Sequence, residues 1–303
     1  MKSKDNNPTG SPTLIRFDWA VKRLLRNKAD YVVLEGFLSV ILNKAIKIVG
    51  IKEGESNQVH SADKFNRVDI IVEDSHGEFM LIEIQTYTQP DYLLRMLYSV
   101  SKTISEHIVL GNKYKMVRKV YHINVLYFPF GDGSDYVYYG STEFTGIHSK
   151  EVLQLTKRKQ KFFKRDTIKG LYPEYYIFCV EKFNDVAMNS LDEWVYYLKN
   201  DKIPEQFTAP GLEQAREKLR YDSLSEEEKL KYRQHIEQVG YERSVIEESH
   251  DSGVDEGLAQ GEAERVRLES ELEQKNQDLE QKDQDLEAAQ KLADSVSMLV
   301  WMR

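Results

Sequence analysis

The strongest constraint on the fold is the stretch RVDIIVEDSHGEFMLIEIQ at residues 67–85, which is typical of two β-strands joined by a tight turn. If the turn comprises residues 75–77, with Gly77 in a left-handed conformation, the two strands pair at a fixed register. That register places Asp69 directly opposite Glu83. A two-residue turn would instead shift the pairing by one residue and send Asp69 to the opposite face of the hairpin.

The second strand of this hairpin carries two polar side chains on one face, because strand side chains alternate with a period of two. Glu83 and Gln85 therefore point the same way. Cross-strand partners have Cβ atoms about 5 Å apart, so the carboxylates of Asp69 and Glu83 converge with the Gln85 amide. Two like charges this close are unfavourable unless a cation lies between them. Mg²⁺, which commonly binds through one or two carboxylates, meets that requirement.

Two other interpretations of these acids remain open. They can be edge-strand charges that discourage aggregation, or ion-pair partners of the nearby Lys64 or Arg67. A lysine or arginine held between Asp69 and Glu83 would remove the need for a metal ion. The metal hypothesis therefore depends on the surroundings of both carboxylates.

The rest of the pattern predicts helices on both sides of the hairpin and more strands after it. Helices are expected at residues 17–28, at residues 30–46 and after Asp91. The core-facing stripe of the second is predicted to be Leu34, Phe37, Leu38, Ile41 and Leu42, and that of the third Leu93, Leu97, Val100, Ile104 and Ile108. Strands are expected at residues 120–128, 135–144 and 174–183. This order favours an α/β or α+β core with a mixed sheet flanked by helices.

These stretches resemble the PD-(D/E)XK nuclease superfamily, specifically its transposase-like branch of recombination-promoting nucleases. The superfamily places an acid on one strand and acid-x-lysine on the next, and this branch often has the E-x-Q seen here at residues 83–85. The likeness also includes FDWAVKRLLRNKADYVVLEGFL, RVDIIVED, LIEIQ, DYLLRMLYSVSKTISEHIVLGNKY and VYHINVLYF, and it extends over about residues 14–200. It implies a restriction-endonuclease-like fold, with a mixed central sheet flanked by helices.

The resemblance also implies an activity and roles for individual residues. The chain would be a Mg²⁺-dependent DNA endonuclease of recombination or mobile-element transfer. Asp69, Glu83 and the main-chain carbonyl of Ile84 would bind the metal, and Gln85 would position the attacking water in place of the usual lysine. A neutral amide cannot neutralise the charge that develops on the phosphate, so the metal or Arg95 would have to do more. Two alternatives are a catalytically inactive DNA-binding relative and an interaction scaffold.

Three helical residues have additional candidate roles. Glu35 matches in type the helical carboxylate that many superfamily members bring to the metal, although it can equally be a solvated acid. Arg95 and Tyr98 share one helix face and could hold a phosphate or orient Gln85, but Arg95 can also pair with Asp91. Two further residues, Asp18 and Lys22, have the i, i+4 spacing of a simple helix salt bridge. The histidines show no zinc-binding spacing.

A basic run predicts a surface for nucleic acid. KRKQKFFKR, residues 157–165, combines two phenylalanines with six cations, Lys157, Arg158, Lys159, Lys161, Lys164 and Arg165. Cations neutralise phosphates and exposed aromatic rings can stack on bases. The alternative is a solvated loop or edge strand that buries its two aromatic residues.

The C-terminal third differs in charge and pattern. Residues 1–210 hold 29 Lys and Arg against 26 Asp and Glu, whereas residues 211–303 hold 13 against 24. Gly253, Gly257 and Gly261 predict a flexible break. After them a seven-residue repeat places Leu272, Leu279 and Leu286 on one seam, with Lys275 and Lys282 at the companion position. This pattern favours a weak coiled coil that could form a homodimer, or else an isolated charged helix.

The sequence thus predicts a flexible arm at 1–13, a nuclease-like domain at 14–210, a helical extension at 211–252, and a Gly-interrupted linker with a coiled-coil helix at 253–303. The single Cys179 excludes an internal disulfide, and the first residues lack an apolar signal-peptide core. No run reaches the roughly 18 apolar residues of a membrane span. A cytoplasmic location without membrane partners is therefore expected.

Overall fold

The computed structural model describes residues 14–23, 25, 28, 31–52, 69–108 and 114–301. The helices are α1 (Phe17–Arg23), α2 (Tyr31–Leu42), α3 (Tyr92–Glu106), α4 (Lys157–Phe163), α5 (Ser190–Asn200), α6 (Leu212–Lys218) and α7 (Glu226–Trp301). The strands are β1 (Ile48–Lys52), β2 (Ile70–Asp74), β3 (Phe79–Gln85), β4 (Val120–Leu126), β5 (Val137–Ser141) and β6 (Glu174–Cys179).

The strands form one open mixed sheet with the order β1-β2-β3-β4-β6-β5. The central pairs β3–β4 and β4–β6 are parallel, and the other three pairs are antiparallel. Helices flank this sheet, which confirms the predicted α/β class and all five predicted strands. Strand β1 was not predicted, since no element was expected between the helix at residues 30–46 and the hairpin. That helix in fact ends at Leu42, and α1 ends at Arg23 rather than continuing to residue 28.

The main core lies between one face of the sheet and helices α1, α2, α5 and α6. It is rich in aromatic side chains that meet edge to face or tilted, namely Phe17, Phe37, Phe178, Trp194 and Tyr197. The predicted stripe of α2 faces this core: its first four members are buried, and Leu42 is half-buried. At Gly36 an added Cβ would lie 2.4 Å from the carbonyl oxygen of Pro210, so only glycine allows α2 to approach this loop.

Helix α3 covers the other face of the sheet with only part of the predicted stripe, because Val100 is buried and Ile104 half-buried there but the leucines are not. Leu93 and Leu97 are 60% and 56% exposed. The buried side of the helix instead carries Tyr92, Met96, Ser99, Val100 and Thr103. The sheet beneath α3 contains buried polar groups, and the Tyr92 hydroxyl donates a hydrogen bond of 2.9 Å to Asn124 Oδ1. The helix therefore turns its mixed polar side, rather than its leucines, towards the sheet.

The body of the protein extends beyond the predicted boundary at residue 210. Leu212, Ala215, Leu219 and Leu224 belong to the main core, and the chain divides into two units between Tyr241 and Glu242. These four side chains bury apolar surface against the same helices as the residues before them, so the segment that follows residue 210 folds as part of the body.

The second unit, from Glu242, is helical. The predicted break is wrong, because α7 continues through Gly253, Gly257 and Gly261. Glycine in a helix costs about 1 kcal/mol relative to alanine, but neighbouring ion pairs at i, i+3 and i, i+4 offset part of that cost. Arg265 pairs with Glu262 and Glu269, for example. The seam residues Leu272, Leu279 and Leu286 are exposed. None of the described helices is apolar enough over sufficient length to cross a membrane.

Candidate active site

The hairpin formed by β2 and β3 has the predicted register. Ile70 pairs with Ile82 and Glu73 with Phe79, and Gly77 adopts a φ of 73° in the turn. Continuing this register brings Asp69 opposite Glu83. The Ile84 amide donates a 2.7 Å hydrogen bond to Asp69 Oδ2, which fixes the aspartate against β3.

Glu83 and Gln85 are both buried on the face of the sheet that α3 covers. Arg95 Nη2 lies 2.5 Å from Glu83 Oε1, and His122 Nε2 lies 3.5 Å from Glu83 Oε2. Neither contact has hydrogen-bond geometry, so within the described part of the chain both Glu83 oxygens and Gln85 Nε2 lack a hydrogen-bond partner. Buried polar groups are normally satisfied, and exceptions indicate a place for water or an ion.

Asp69 has a cation of its own. Lys22 Nζ lies 3.3 Å from Asp69 Oδ1, so the predicted Asp18–Lys22 salt bridge is wrong. Asp18 is instead buried against Arg16 and His235. Burial raises the pKa of Asp69. The Lys22 charge and the Ile84 amide lower it and the Glu83 charge raises it, with a net pKa above the usual value.

The helical candidates do not all reach the two acids. Arg95 contacts Glu83 and donates a 2.7 Å hydrogen bond to Gln89 Oε1, whereas Tyr98 is partly exposed beside Lys102. Glu35 lies elsewhere.

Glu35 accepts a hydrogen bond from the Ile48 amide and pairs with Lys47. Ile48 pairs with Asp74, at the opposite end of β2 from Asp69, so the structure does not bring Glu35 to the candidate metal site. A carboxylate at the edge of an apolar helix can accept hydrogen bonds from different neighbours. For Glu35 the donor is the Ile48 amide at the start of β1.

Two polar residues at this site were missed in the sequence, namely His122 and Asn124. Both are fully buried on β4, whose parallel register sets His122 beside Leu81 and Asn124 beside Glu83. The available signal was the alternation of His and Asn within the otherwise apolar VYHINVLYF. It could be interpreted only once β4 was known to pair with β3.

The residues at the hairpin suit Mg²⁺ by their chemistry. Two carboxylates and the main-chain carbonyl of Ile84 are hard oxygen ligands, and Mg²⁺ commonly takes one or two carboxylates and completes its octahedron with water. Neither oxygen of buried Glu83 has a hydrogen bond among the described residues, although a metal ion there would have to share Oε1 with Arg95. No cluster of three or more His, Cys, Asp or Glu side chains with metal-binding geometry occurs among the residues that the structure describes. Water or substrate oxygens would therefore have to fill most of the coordination shell.

Most of the basic run forms helix α4 (Lys157–Phe163), not a loop or strand, with the Thr156 hydroxyl as its N-cap and Lys164 as its left-handed C-cap. Its lysines and Arg158 are exposed, and Phe162 is 61% exposed. Arg165 differs from these residues because its Nη2 lies 2.5 Å from buried Glu78. That contact anchors the end of the basic run at the start of β3, several residues from Glu83.

A comparison with protein-family models matches residues 15–249 to the PD-(D/E)XK nuclease family transposase model. The match covers more than half of the chain, so the protein belongs to this family, and its sheet and flanking helices form the restriction-endonuclease-like fold that the resemblance implied. Comparisons with curated proteins and with solved structures found no match.

Proposed function

We propose that this member of the PD-(D/E)XK nuclease family transposases is a Mg²⁺-dependent DNA endonuclease of recombination or mobile-element transfer. The observation that carries the proposal is the pair of facing acids at the hairpin, in which buried Glu83 keeps both oxygens free of hydrogen bonds among the described residues. Asp69, Glu83 and the carbonyl of Ile84 would hold the metal. When bound, Mg²⁺ would supply positive charge to a scissile phosphate.

Neighbouring groups of the protein hold the two acids in position. The Ile84 amide holds Asp69 at the edge of the site, and Arg95 holds Glu83 from the α3 side. Gln85 is buried next to them on the same face, where its amide can orient an attacking water by hydrogen bonds. Because the amide is neutral, it cannot neutralise the negative charge that develops on the phosphate.

Plasmid cleavage tests this function directly. Purified full-length protein is incubated with supercoiled plasmid in Mg²⁺ and, separately, in EDTA. We expect nicked or linear DNA in Mg²⁺ alone. A protein that binds plasmid but leaves it supercoiled with Mg²⁺ would contradict the endonuclease and support the second candidate.

The second candidate is a catalytically inactive DNA-binding relative. Two observations favour it: Gln85 stands where the superfamily has lysine, and each acid already has a cation, Lys22 on Asp69 and Arg95 on Glu83. A metal ion would have to compete with Arg95 for Glu83. Retained DNA binding without any Mg²⁺-dependent cutting is the result that this alternative expects.

The DNA-binding surface that we propose is α4 and the residues after it. Lys157, Arg158, Lys159 and Lys161 are exposed on the helix, with Lys164 beside its end, and exposed Phe162 lies among them. Arg165 contributes by anchoring the segment to Glu78. Several cations next to one aromatic ring suit a phosphate backbone with accessible bases.

The double substitution Lys157→Gln with Lys161→Gln tests this surface. Each lost phosphate contact reduces the magnitude of the slope of log affinity against log salt by about 0.9. For two lost contacts we expect the magnitude of the slope to decrease by about two, and binding at low salt to be weaker. Fluorescence anisotropy with labelled DNA over a salt series measures both. Lys202→Gln, another exposed lysine of the body, is the control and should leave the slope unchanged. An unchanged slope in the double variant would contradict the assignment.

The C-terminal part of α7 supports a further proposal, about self-association. Leu272, Leu279 and Leu286 form one exposed seam on α7, which supports a homodimeric coiled coil. Lys275 and Lys282 at the companion position would keep that association weak. The single, buried Cys179 supports action in a reducing cytoplasm.

A further inference from the structure

We propose that Lys22 of α1 supplies the positive charge that Gln85 does not, by contacting the phosphate that is cleaved. This inference rests on the proposed endonuclease function and adds a catalytic residue to it. Lys22 lies 47 positions before Asp69 in the chain, and nothing in the D…ExQ pattern points to it. The fold alone places it at the acids.

The position of Lys22 is set by the docking of α1. Phe17, Ala20 and Val21 of this helix are fully buried in the main core, so the helix has one orientation against the sheet. Lys22 is the next residue and projects towards the start of β2. There its Nζ lies 3.3 Å from Asp69 Oδ1.

The Lys22 side chain is 39% exposed, whereas that of Asp69 is 14% exposed. Lys22 is therefore more accessible to a DNA phosphate than the carboxylate with which it pairs. When the lysine turns to a phosphate oxygen, the Asp69 carboxylate keeps its hydrogen bond from the Ile84 amide, and a bound divalent ion would replace the charge of the lysine there. The flexible stem of Lys22 suits that movement.

Arg95 is less suited to this role. Its guanidinium contacts buried Glu83 and also donates to Gln89, and its side chain is less exposed than that of Lys22. Turning Arg95 towards DNA would leave Glu83 without its cation, which is costly for a buried carboxylate.

The charges at the site support the same assignment. Asp69 and Glu83 are balanced by Lys22 and Arg95, so a divalent ion would leave the site positive when it meets the phosphate. Hydrolysis adds water across one P–O bond to give a phosphate monoester and a hydroxyl group. Lys22 keeps its proton throughout and stabilises the extra negative charge on the non-bridging oxygens.

Moving the positive charge from position 22 to position 85 tests the inference. Removing one preorganised donor typically costs about 10²–10³ in rate, so we expect Lys22→Met to cut plasmid DNA at least 100-fold more slowly in Mg²⁺. The double variant Lys22→Met with Gln85→Lys should recover at least tenfold of that loss. Lys22→Arg, which keeps the charge, should retain more activity than Lys22→Met. The control is Lys47→Met, because Lys47 is a more exposed lysine paired with Glu35 away from the acids, and it should cut at the wild-type rate.

DNA affinity provides a second readout that does not depend on turnover. Binding is measured by anisotropy in Ca²⁺ over a salt series. We expect the salt slope of Lys22→Met to decrease by about 0.9, the contribution of one phosphate, and that of Lys47→Met to stay unchanged. A lysine that merely supports the fold would alter the thermal midpoint but not this slope.

The outcomes separate the inference from the function on which it rests. Absence of Mg²⁺-dependent cutting by the wild-type protein overturns the endonuclease proposal. Wild-type cutting together with equally fast cutting by Lys22→Met overturns only the role of Lys22. Slow cutting with an unchanged salt slope and no rescue by Gln85→Lys also overturns it. Should Lys22→Met fail to fold, Lys22→Gln is the second neutral variant, and the same rate and slope criteria apply.

Discussion

We expect Glu83→Gln to lower Mg²⁺-dependent plasmid cleavage by at least about a thousandfold. The substitution keeps the shape of the side chain and removes the negative charge of the more deeply buried acid. Lewis-acid stabilisation by a bound metal is worth several kcal/mol, and about 4 kcal/mol corresponds to a factor of 10³ in rate. The amide also leaves Arg95 without the carboxylate that it contacts at 2.5 Å.

The variant is measured by initial rates of plasmid nicking and, separately, by anisotropy with DNA in Ca²⁺. We expect the affinity to change by less than about threefold, because α4 and its cations are untouched. Glu35→Gln is the matched control: it is the same chemical change on a carboxylate bound to Lys47 and the Ile48 amide.

Two results would contradict the role of Glu83. The first is cleavage by Glu83→Gln at the wild-type rate. The second is an equal loss in Glu35→Gln, which would show that the assay responds to any weakened ion pair in the fold and not to a metal ligand.

The pairing of the two acids could be predicted from the sequence because it depends on local geometry. A three-residue turn with glycine at the left-handed position fixes the register, and every pair in the hairpin follows from it. The spacing of Glu83 and Gln85 on one face follows from strand alternation. Neither inference needs knowledge of any distant segment.

The cations on the acids could not be predicted in this way. Lys22 has a carboxylate four residues before it, so the local rule favours Asp18, yet the tertiary fold supplies Asp69 instead. Arg95 has Asp91 four residues before it and contacts Glu83. In both cases an acid from another element takes the cation, because Asp18 is already paired with Arg16 and His235, and Asp91 is exposed to solvent.

Leu93 and Leu97 of α3 were wrongly predicted to face the sheet for a related reason, whereas Val100 and Ile104 do pack against it. The leucine spacing defines an amphipathic helix but not the polarity of the surface on which it lies. His122, Asn124 and Glu83 make that part of the sheet polar, so the tyrosine and small polar side chains of α3 face it. Only the parallel pairing of β3 with β4 assembles these three residues.

We expect Asp18→Asn to lower the free energy of unfolding by about 3–5 kcal/mol at pH 7, because it removes one partner from a buried charge cluster. Asp18 is fully buried. Its carboxylate accepts hydrogen bonds from the Trp19 amide at 2.9 Å, from His235 Nε2 at 3.0 Å and from Arg16 Nε at 3.2 Å. The amide leaves half-buried Arg16 without its counter-charge.

The effect of Asp18→Asn should depend on pH in a defined direction. Burial alone would raise the pKa of Asp18, but the His235 hydrogen bond and the Arg16 charge outweigh it and hold that pKa well below the usual range. An aspartate whose pKa is lower in the folded state stabilises the protein above its unfolded pKa of about 3.9 and loses that contribution as the pH falls towards the folded value. The difference between wild type and variant should therefore be full at pH 7 and shrink below about pH 4.

Urea unfolding from pH 7 down to pH 3 measures this difference, and Asp185→Asn is the matched control. Asp185 pairs with Lys199 at an exposed position, so its loss should cost no more than about 1 kcal/mol. A pH-independent effect, or equal effects at both positions, would contradict the ion-pair account. Since Asp18 and Lys22 lie on the same helix, a loosened α1 should also misplace Lys22. Cleavage by Asp18→Asn should then fall at temperatures where the variant is still folded.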